Sequence, residues 1–171
     1  KVATEAYAPL MYQLAESGID CFLVDMPFHM AFFGMNRAEE IMQEYNYEAW
    51  YLGGHSLGAA MAANFAADYV EDHTDGIRGL LLLAAYPTKD LSTSDMSVVT
   101  VYGSEDGVLN MDKIVAGREL MPQDYKEVCI EGGNHAQFGS YGTQKGDGTA
   151  AIPAEEQWAR TVEVFVGDES E

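Results

Sequence analysis

The chain alternates between two patterns of apolar residues. Some stretches have apolar residues at helical spacing, and others are short, nearly continuous apolar runs of the kind that form buried strands. The first pattern predicts helices over residues 4–18, 36–45 (with Asn36 as cap), 57 to about 72, 110 to about 120 and 153–166. The second predicts strands over residues 19–27, 49–54, 77–87, 97–103 and 125–133.

This alternation is typical of an α/β protein with a mostly parallel sheet and helices on both faces. Residues 139–153 are glycine-rich and polar, and we read them as a loop after the last strand. Its Asp147 lacks the spaced partners of a calcium-binding loop. Neither an internal repeat nor a linker is visible, so we assign residues 1–171 to one domain.

The composition narrows the classes of partner. With 28 acidic and 9 basic residues the net charge is −19, which disfavours nucleic acid and anionic membrane surfaces. Cys21 and Cys129 lie in apolar runs and are interpreted as two buried free thiols, with a disulfide left open. The Cys and His spacing does not suit zinc, and we expect neither a metal nor a cofactor.

The stretch "YLGGHSLGAAMAANFA" places Ser56 between a predicted strand and a predicted helix. Gly-His-Ser-Leu-Gly matches the nucleophile elbow G-x-S-x-G, a tight strand-to-helix turn. We expect Gly54 and Gly58 to avoid clashes between strand and helix, and the N–H of Leu57 to serve as an oxyanion donor. The alternative is that Ser56 is an ordinary helix cap.

A serine nucleophile needs a base and an orienting carboxylate, which follow it along the chain in this kind of turn. Asp106, with Glu105 as the alternative, follows the fourth predicted strand, and His135 follows the fifth. Each has a simpler interpretation, an Asp-Gly turn and a solvated loop histidine respectively. The three other histidines fit less well: His55 should point away from Ser56, and His29 and His73 do not follow the required order.

These residues resemble an α/β-hydrolase, and more narrowly the small capless "alpha/beta hydrolase fold-5" group, related to dienelactone hydrolases. The resemblance rests on "KVATEAYAPL", "GIDCFLVDMPF", "WYLGGHSLGAAMAANFA", "LLLLAAYPT", "VYGSEDGVLN" and "EGGNHAQFGSYG". It implies that Ser56 is the nucleophile, Asp106 the acid and His135 the base. Dienelactone hydrolases have a cysteine at the elbow, so Ser56 argues against a dienelactone substrate.

The resemblance also implies further strands and a Gly-Gly oxyanion loop before the position that matches Lys1. We therefore expect a chain that lacks its N-terminal strands, with Lys1 or Val2 as the remaining candidate for the second oxyanion donor. Relatives often carry an N-terminal signal or membrane anchor. The resemblance thus implies an exported or tethered parent protein, with the cytoplasm as the alternative.

The expected chemistry is hydrolysis of a small carboxylic ester through an acyl-enzyme. About ten residues separate the third and fourth predicted strands, too few for a cap domain, so the site should be open. Thioester or amide hydrolysis and a non-catalytic binding domain are the alternatives, and the protein is expected to be a monomer or small homo-oligomer. Four apolar residues either line an acyl pocket or belong to the core: Phe28, Phe32, Phe33 and Met35.

Overall fold

The computed structural model of the chain describes residues 2–25, 37–73 and 76–168. The α-helices are α1 (Ala8–Glu16), α2 (Arg37–Glu44), α3 (Leu57–Asp72), α4 (Met111–Gly117) and α5 (Ala154–Asp168). The strands are β1 (Trp50–His55), β2 (Ile77–Leu83), β3 (Ser97–Gly103) and β4 (Tyr125–Ile130). Short 3₁₀ turns occupy Thr4–Tyr7, Arg118–Leu120 and Ala136–Phe138.

The four strands form one parallel sheet in the order β1-β2-β3-β4, as the alternating pattern predicts. The inner strands β2 and β3 are buried along most of their length. Strands buried on both faces read as continuous apolar runs, which explains the sequences "IRGLLLL" and "SVVTVYG". All four strands end at the same edge of the sheet, where the loops that carry the candidate site lie.

Helices cover both faces of the sheet. On one face α3 presents Ala59, Ala63 and Ala66, all at most 1% exposed, to Leu80 and Leu82 of β2. Their spacing of four and three residues puts the three alanines on one side of the helix, and their small side chains let it lie close to the sheet. On the other face α1 and α5 supply Leu10, Leu14, Trp158, Val162 and Phe165.

Most predicted elements are confirmed, some of them with different ends. The third predicted strand stops at Leu83 because Ala84 takes a φ of 49° while its N–H donates to Val101 O. The fifth stops at Ile130, before Gly132 turns with a φ of 79°. The helix predicted over residues 110–120 is α4 followed by a 3₁₀ turn, and the residue 139–153 segment contains neither helix nor strand.

The strand predicted over residues 19–27 is wrong for its described part, residues 19–25, and its last two residues lie outside the described ranges. Side chains hold this segment instead. Tyr47 Oη donates to Asp20 Oδ2 over 2.5 Å, Thr4 Oγ1 donates to Asp25 Oδ1 over 2.7 Å, and Phe22 packs against Trp50. Its apolar residues are used in packing, but it does not join the ladder of the described sheet.

The cysteines also differ from expectation. Both are free, but Cys21 is half-buried and Cys129 is exposed. Cys129 lies on β4, which is the outer strand of the described sheet and is less covered than β2 or β3. Partial burial and the neighbouring carboxylates of Glu131 and Glu127 raise the pKa of the Cys129 thiol. Within the described ranges, no helix has the length and apolar character needed to cross a membrane.

Candidate active site

Ser56 occupies the turn between β1 and α3. Its φ of 54° and ψ of −123° lie in a region that non-glycine residues rarely adopt. The turn is held from both sides, because Ser56 N–H donates to Leu83 O over 2.8 Å and Ser56 O accepts from Ala60 N–H over 3.2 Å. Although Ser56 stands at the N-cap position of α3, its side chain makes no capping hydrogen bond there.

Gly54 is required by close packing of β1 on α3. A Cβ at this position would lie 2.6 Å from Ala59 N and 2.6 Å from Gly58 C, distances that real Cβ atoms essentially never show. Gly58 does not play the same part, contrary to expectation. A Cβ there would meet no atom of the described residues within 4 Å outside its own helix.

Asp106 and His135 form a buried ion-pair geometry at the ends of β3 and β4. His135 Nδ1 and Asp106 Oδ2 are 2.8 Å apart, and each side chain is 2% exposed. The other oxygen of Asp106 accepts from the N–H groups of Val108 and Leu109 over 2.9 and 2.7 Å. Glu105 is exposed and accepts instead from Ser104 Oγ, so the structure brings Asp106 and not Glu105 to the histidine.

The contacts of Asp106 favour its ionised form. Burial raises the pKa of this carboxyl, but the hydrogen bond to His135 and the two backbone N–H donors outweigh burial and leave the pKa below its usual value. An ionised Asp106 accepts the Nδ1 proton of His135, which leaves Nε2 as the acceptor nitrogen of a neutral ring. Nε2 is buried and has no hydrogen-bond partner among the described residues.

His55 links the Ser56 turn to the His135 loop. The His55 and His135 ring centroids are 4.6 Å apart, and His55 Nδ1 lies 3.0 Å from Tyr7 Oη. Burial, followed by the neighbouring His135, lowers the pKa of His55 to about 3, so the ring is neutral at physiological pH. His55 thus packs beneath the site. His73 lies elsewhere, stacked on Tyr69 at the end of α3.

The remaining predicted residues are placed only in part. Leu57 is the first residue of α3, so its N–H is among the helical donors that lack a partner within the helix. Val2 is half-buried just before the turn that carries Tyr7. Outside the described residues lie Lys1, Phe28, His29, Phe32, Phe33 and Met35.

One residue that the sequence analysis missed, Gln157, fixes the His135 loop from the side of α5. Gln157 of α5 is fully buried; its Oε1 accepts from Asn134 N–H over 3.0 Å and its Nε2 donates to Asn134 O over 2.8 Å. These two hydrogen bonds fix the backbone of Asn134, the residue that directly precedes His135. The available signal was a glutamine on the apolar face of an amphipathic helix, where a buried amide needs partners.

The described residues contain no group of three or more His, Cys, Asp or Glu side chains that could hold a metal ion. At one edge of the parallel sheet lie a strained serine, a carboxylate-oriented imidazole and the N-terminus of a helix. Acyl-transfer enzymes use groups of these kinds as nucleophile, base and oxyanion donor.

Comparison with known proteins agrees with the fold. A model of the alpha/beta hydrolase family matches residues 1–159, so the chain belongs to that family. No curated protein matches the sequence.

Several solved structures are similar in fold. The monoacylglycerol lipase of Paleococcus ferrophilus is 16% identical with a TM-score of 0.69, and the match covers 95% of this chain and 89% of that one. The esterase domain of a Rhodothermus marinus protein is 11% identical with a TM-score of 0.69, over 98% and 80%. The mouse alpha/beta hydrolase domain-containing protein 10 is 10% identical with a TM-score of 0.62, over 96% and 85%. At these identities the likeness concerns the fold.

Proposed function

We propose that this protein is a serine hydrolase that cleaves small carboxylic esters through an acyl-enzyme on Ser56. The observation that carries the proposal is the His135–Asp106 pair, with Nδ1 bonded to the carboxylate and Nε2 buried and unpartnered. An unpartnered buried nitrogen is costly, and a serine hydroxyl or substrate proton would satisfy it. The strained Ser56 turn leads from the same end of the sheet and contacts this loop through His55.

In the proposed reaction, His135 Nε2 takes the proton of Ser56 Oγ as this oxygen bonds to the ester carbonyl carbon. The resulting oxyanion is stabilised by Leu57 N–H and by a second backbone donor that we assign to Lys1 or Val2. His135 then passes the proton to the departing alcohol as the ester C–O bond breaks. Water, deprotonated by Nε2, attacks the acyl carbon. The bond from this carbon to Ser56 Oγ then breaks, His135 returns the proton to Oγ, and the acid leaves. Asp106 keeps the imidazole oriented and stabilises its charged form throughout.

The connection between β2 and β3 supports a small ester as the substrate. Residues 84–96, between β2 and β3, contain neither helix nor strand, so this insertion point carries no cap domain. An open site suits small or exposed esters. Two similar folds are named as a monoacylglycerol lipase and an esterase domain, which favours esters over thioesters and amides for this chain.

Labelling by a fluorophosphonate probe tests the nucleophile. We expect the full-length wild-type protein to be labelled and Ser56→Ala to be unlabelled, with kcat for p-nitrophenyl acetate and butyrate falling by roughly 10³-fold or more. Ser17→Ala is the matched control, since this exposed serine stands at the C-terminal end of α1 and its Oγ donates to Gln13 O within the same helix. An unlabelled wild type, or labelling that persists in Ser56→Ala, contradicts the proposal. If the protein hydrolyses acyl-CoA thioesters faster than these esters, thioesters replace esters as the proposed substrate class.

A further inference from the structure

The carboxylate of Asp147 binds four backbone N–H groups. Its Oδ1 accepts from Gly148 over 2.9 Å and from both Gly107 and His135 over 3.2 Å, while its Oδ2 accepts from Ala136 over 2.8 Å. Gly107 directly follows Asp106, and Ala136 directly follows His135. One side chain therefore joins the loop of the proposed acid to the loop of the proposed base.

The Asp147 loop is also packed tightly on the other two. A Cβ at Gly107 would lie 3.0 Å from Gly148 N, and one at Gly148 would overlap Glu105 O. Asn134 Nδ2 donates to Gly148 O over 2.9 Å. The loops after β3 and β4 and the loop of residues 139–153 therefore share one contact region around the Asp147 carboxylate.

We propose that Asp147 is a positioning residue that sets the separation of Asp106 from His135, an inference that rests on the proposed function. Its oxygens contact the backbone N–H of His135 and not the imidazole, so Asp147 does not replace Asp106 as the acid. A carboxylate is suited to this task because both of its oxygens are acceptors only. Other bonds still join the two loops, such as Glu105 N–H to Gly133 O, but loss of the bridge removes the contacts at Gly107, His135 and Ala136. Proton transfer is sensitive to misplacements near 1 Å.

Asp147→Asn tests the role with little change in size. The amide retains one acceptor oxygen, so its NH₂ group must face at least one N–H donor. We expect kcat for p-nitrophenyl butyrate to fall roughly 10- to 100-fold while KM changes less than about threefold, because the substrate contacts remain. The low-field proton resonance of the His135 Nδ1–H bound to Asp106 should weaken or shift. A merely structural role would not move this resonance in a protein that still folds.

Asp90→Asn is the matched control, because this exposed carboxylate accepts from Ser92 N–H in a turn between β2 and β3. It makes the same change in charge, and we expect wild-type kcat and an unchanged resonance. Asp147→Ala introduces no new donor and is the second variant if Asp147→Asn does not fold. In the wild type, the Ala136 amide should exchange its hydrogen slowly because it donates to Asp147 Oδ2, whether or not either variant folds. Rapid exchange at this amide would overturn the proposed bridge.

Wild-type kcat together with an unshifted resonance in Asp147→Asn refutes the positioning role. The two proposals fail in different ways. A wild type that is neither labelled by fluorophosphonate nor active contradicts the hydrolase assignment. The resonance of the Asp106–His135 hydrogen bond still reports on Asp147 in that event, since its detection requires no turnover.

Discussion

Replacing Gly54 with alanine tests the geometry of the Ser56 turn most directly. The new Cβ would lie 2.6 Å from Ala59 N, 2.6 Å from Gly58 C and 2.8 Å from Ala59 Cα. Ordinary contacts begin at 3.4 Å, so the first turn of α3 must move about 0.8 Å away from β1. All three atoms belong to the backbone, so a change of side-chain rotamer cannot relieve the overlap.

The cost follows from what this movement breaks. Overpacking in a dense core costs about 1–3 kcal/mol, and a clash with rigid backbone belongs at the upper end, near 3 kcal/mol. Ala59 is fully buried against the sheet, so the displacement spreads into the core. Because Ser56 lies between Gly54 and the moving helix, we also expect a loss of labelling rate of roughly 100-fold.

The measurement is equilibrium denaturation by urea together with the rate of fluorophosphonate labelling. Gly58→Ala is the control, since a Cβ there has open space around it among the described residues. Alanine is the better helix former, so Gly58→Ala should be neutral or stabilise the protein by up to about 1 kcal/mol. A Gly54→Ala protein whose unfolding free energy lies within about 0.5 kcal/mol of wild type would refute the reasoning, since so small a change needs none of the movement described.

Two further predictions concern stability. The pKa of His55 is about 3 in the folded protein against 6.5 for the free side chain, so the unfolded chain takes up this proton first. His55 therefore leaves the unfolding free energy unchanged above pH 6.5 and lowers it as the pH falls from 6.5 towards 3. The loss at pH 5 is about 2 kcal/mol. The unfolding free energy, measured by denaturation between pH 7.5 and 5, should therefore fall with decreasing pH, and His55→Gln should make this fall less steep. Equal slopes in the wild type and in His55→Gln would contradict the prediction. Asn110 Oδ1 accepts from Lys113 N–H over 3.1 Å at the start of α4, so Asn110→Ala should lower the unfolding free energy by about 1 kcal/mol. A urea midpoint equal to that of the wild type would show that this cap does not stabilise the helix.

The periodicity of the sequence predicts the sheet and its covering helices well where both faces are buried. The bounds of β3 and α3 agree with their apolar patterns because burial is what those patterns record. Residues 19–25 show the limit of this signal. Apolar side chains of this segment pack against neighbours, as Phe22 does against Trp50, but an apolar run does not predict whether its backbone pairs with another strand. The early end of β2 depends on the left-handed conformation of Ala84, for which alanine gives no local signal.

For the candidate site, motif and chain order predict which loops should meet, and the structure adds the Asp106–His135 hydrogen bond. Asp147 escaped sequence reasoning because its partners are backbone N–H groups on two distant loops. Glycines in those loops permit the contact, but a glycine-rich polar segment is equally typical of an unstructured surface loop. Gln157 is similar, since its role depends on the neighbour that folding brings to it.

The strand order has a consequence for substrate selection. Among the described strands β1 is an outer one, so Ser56 lies at one side of the described sheet, while Asp106 and His135 follow β3 and β4 on the other side. On the proposed mechanism, we expect the acyl group to lie on the β1 side of Ser56, because Asp106 and His135 occupy the β3 and β4 side. Substitutions on the β1 side of Ser56 should therefore change the preference for acyl-chain length and leave the proton-transfer groups intact. Selectivity and reactivity could then be engineered separately.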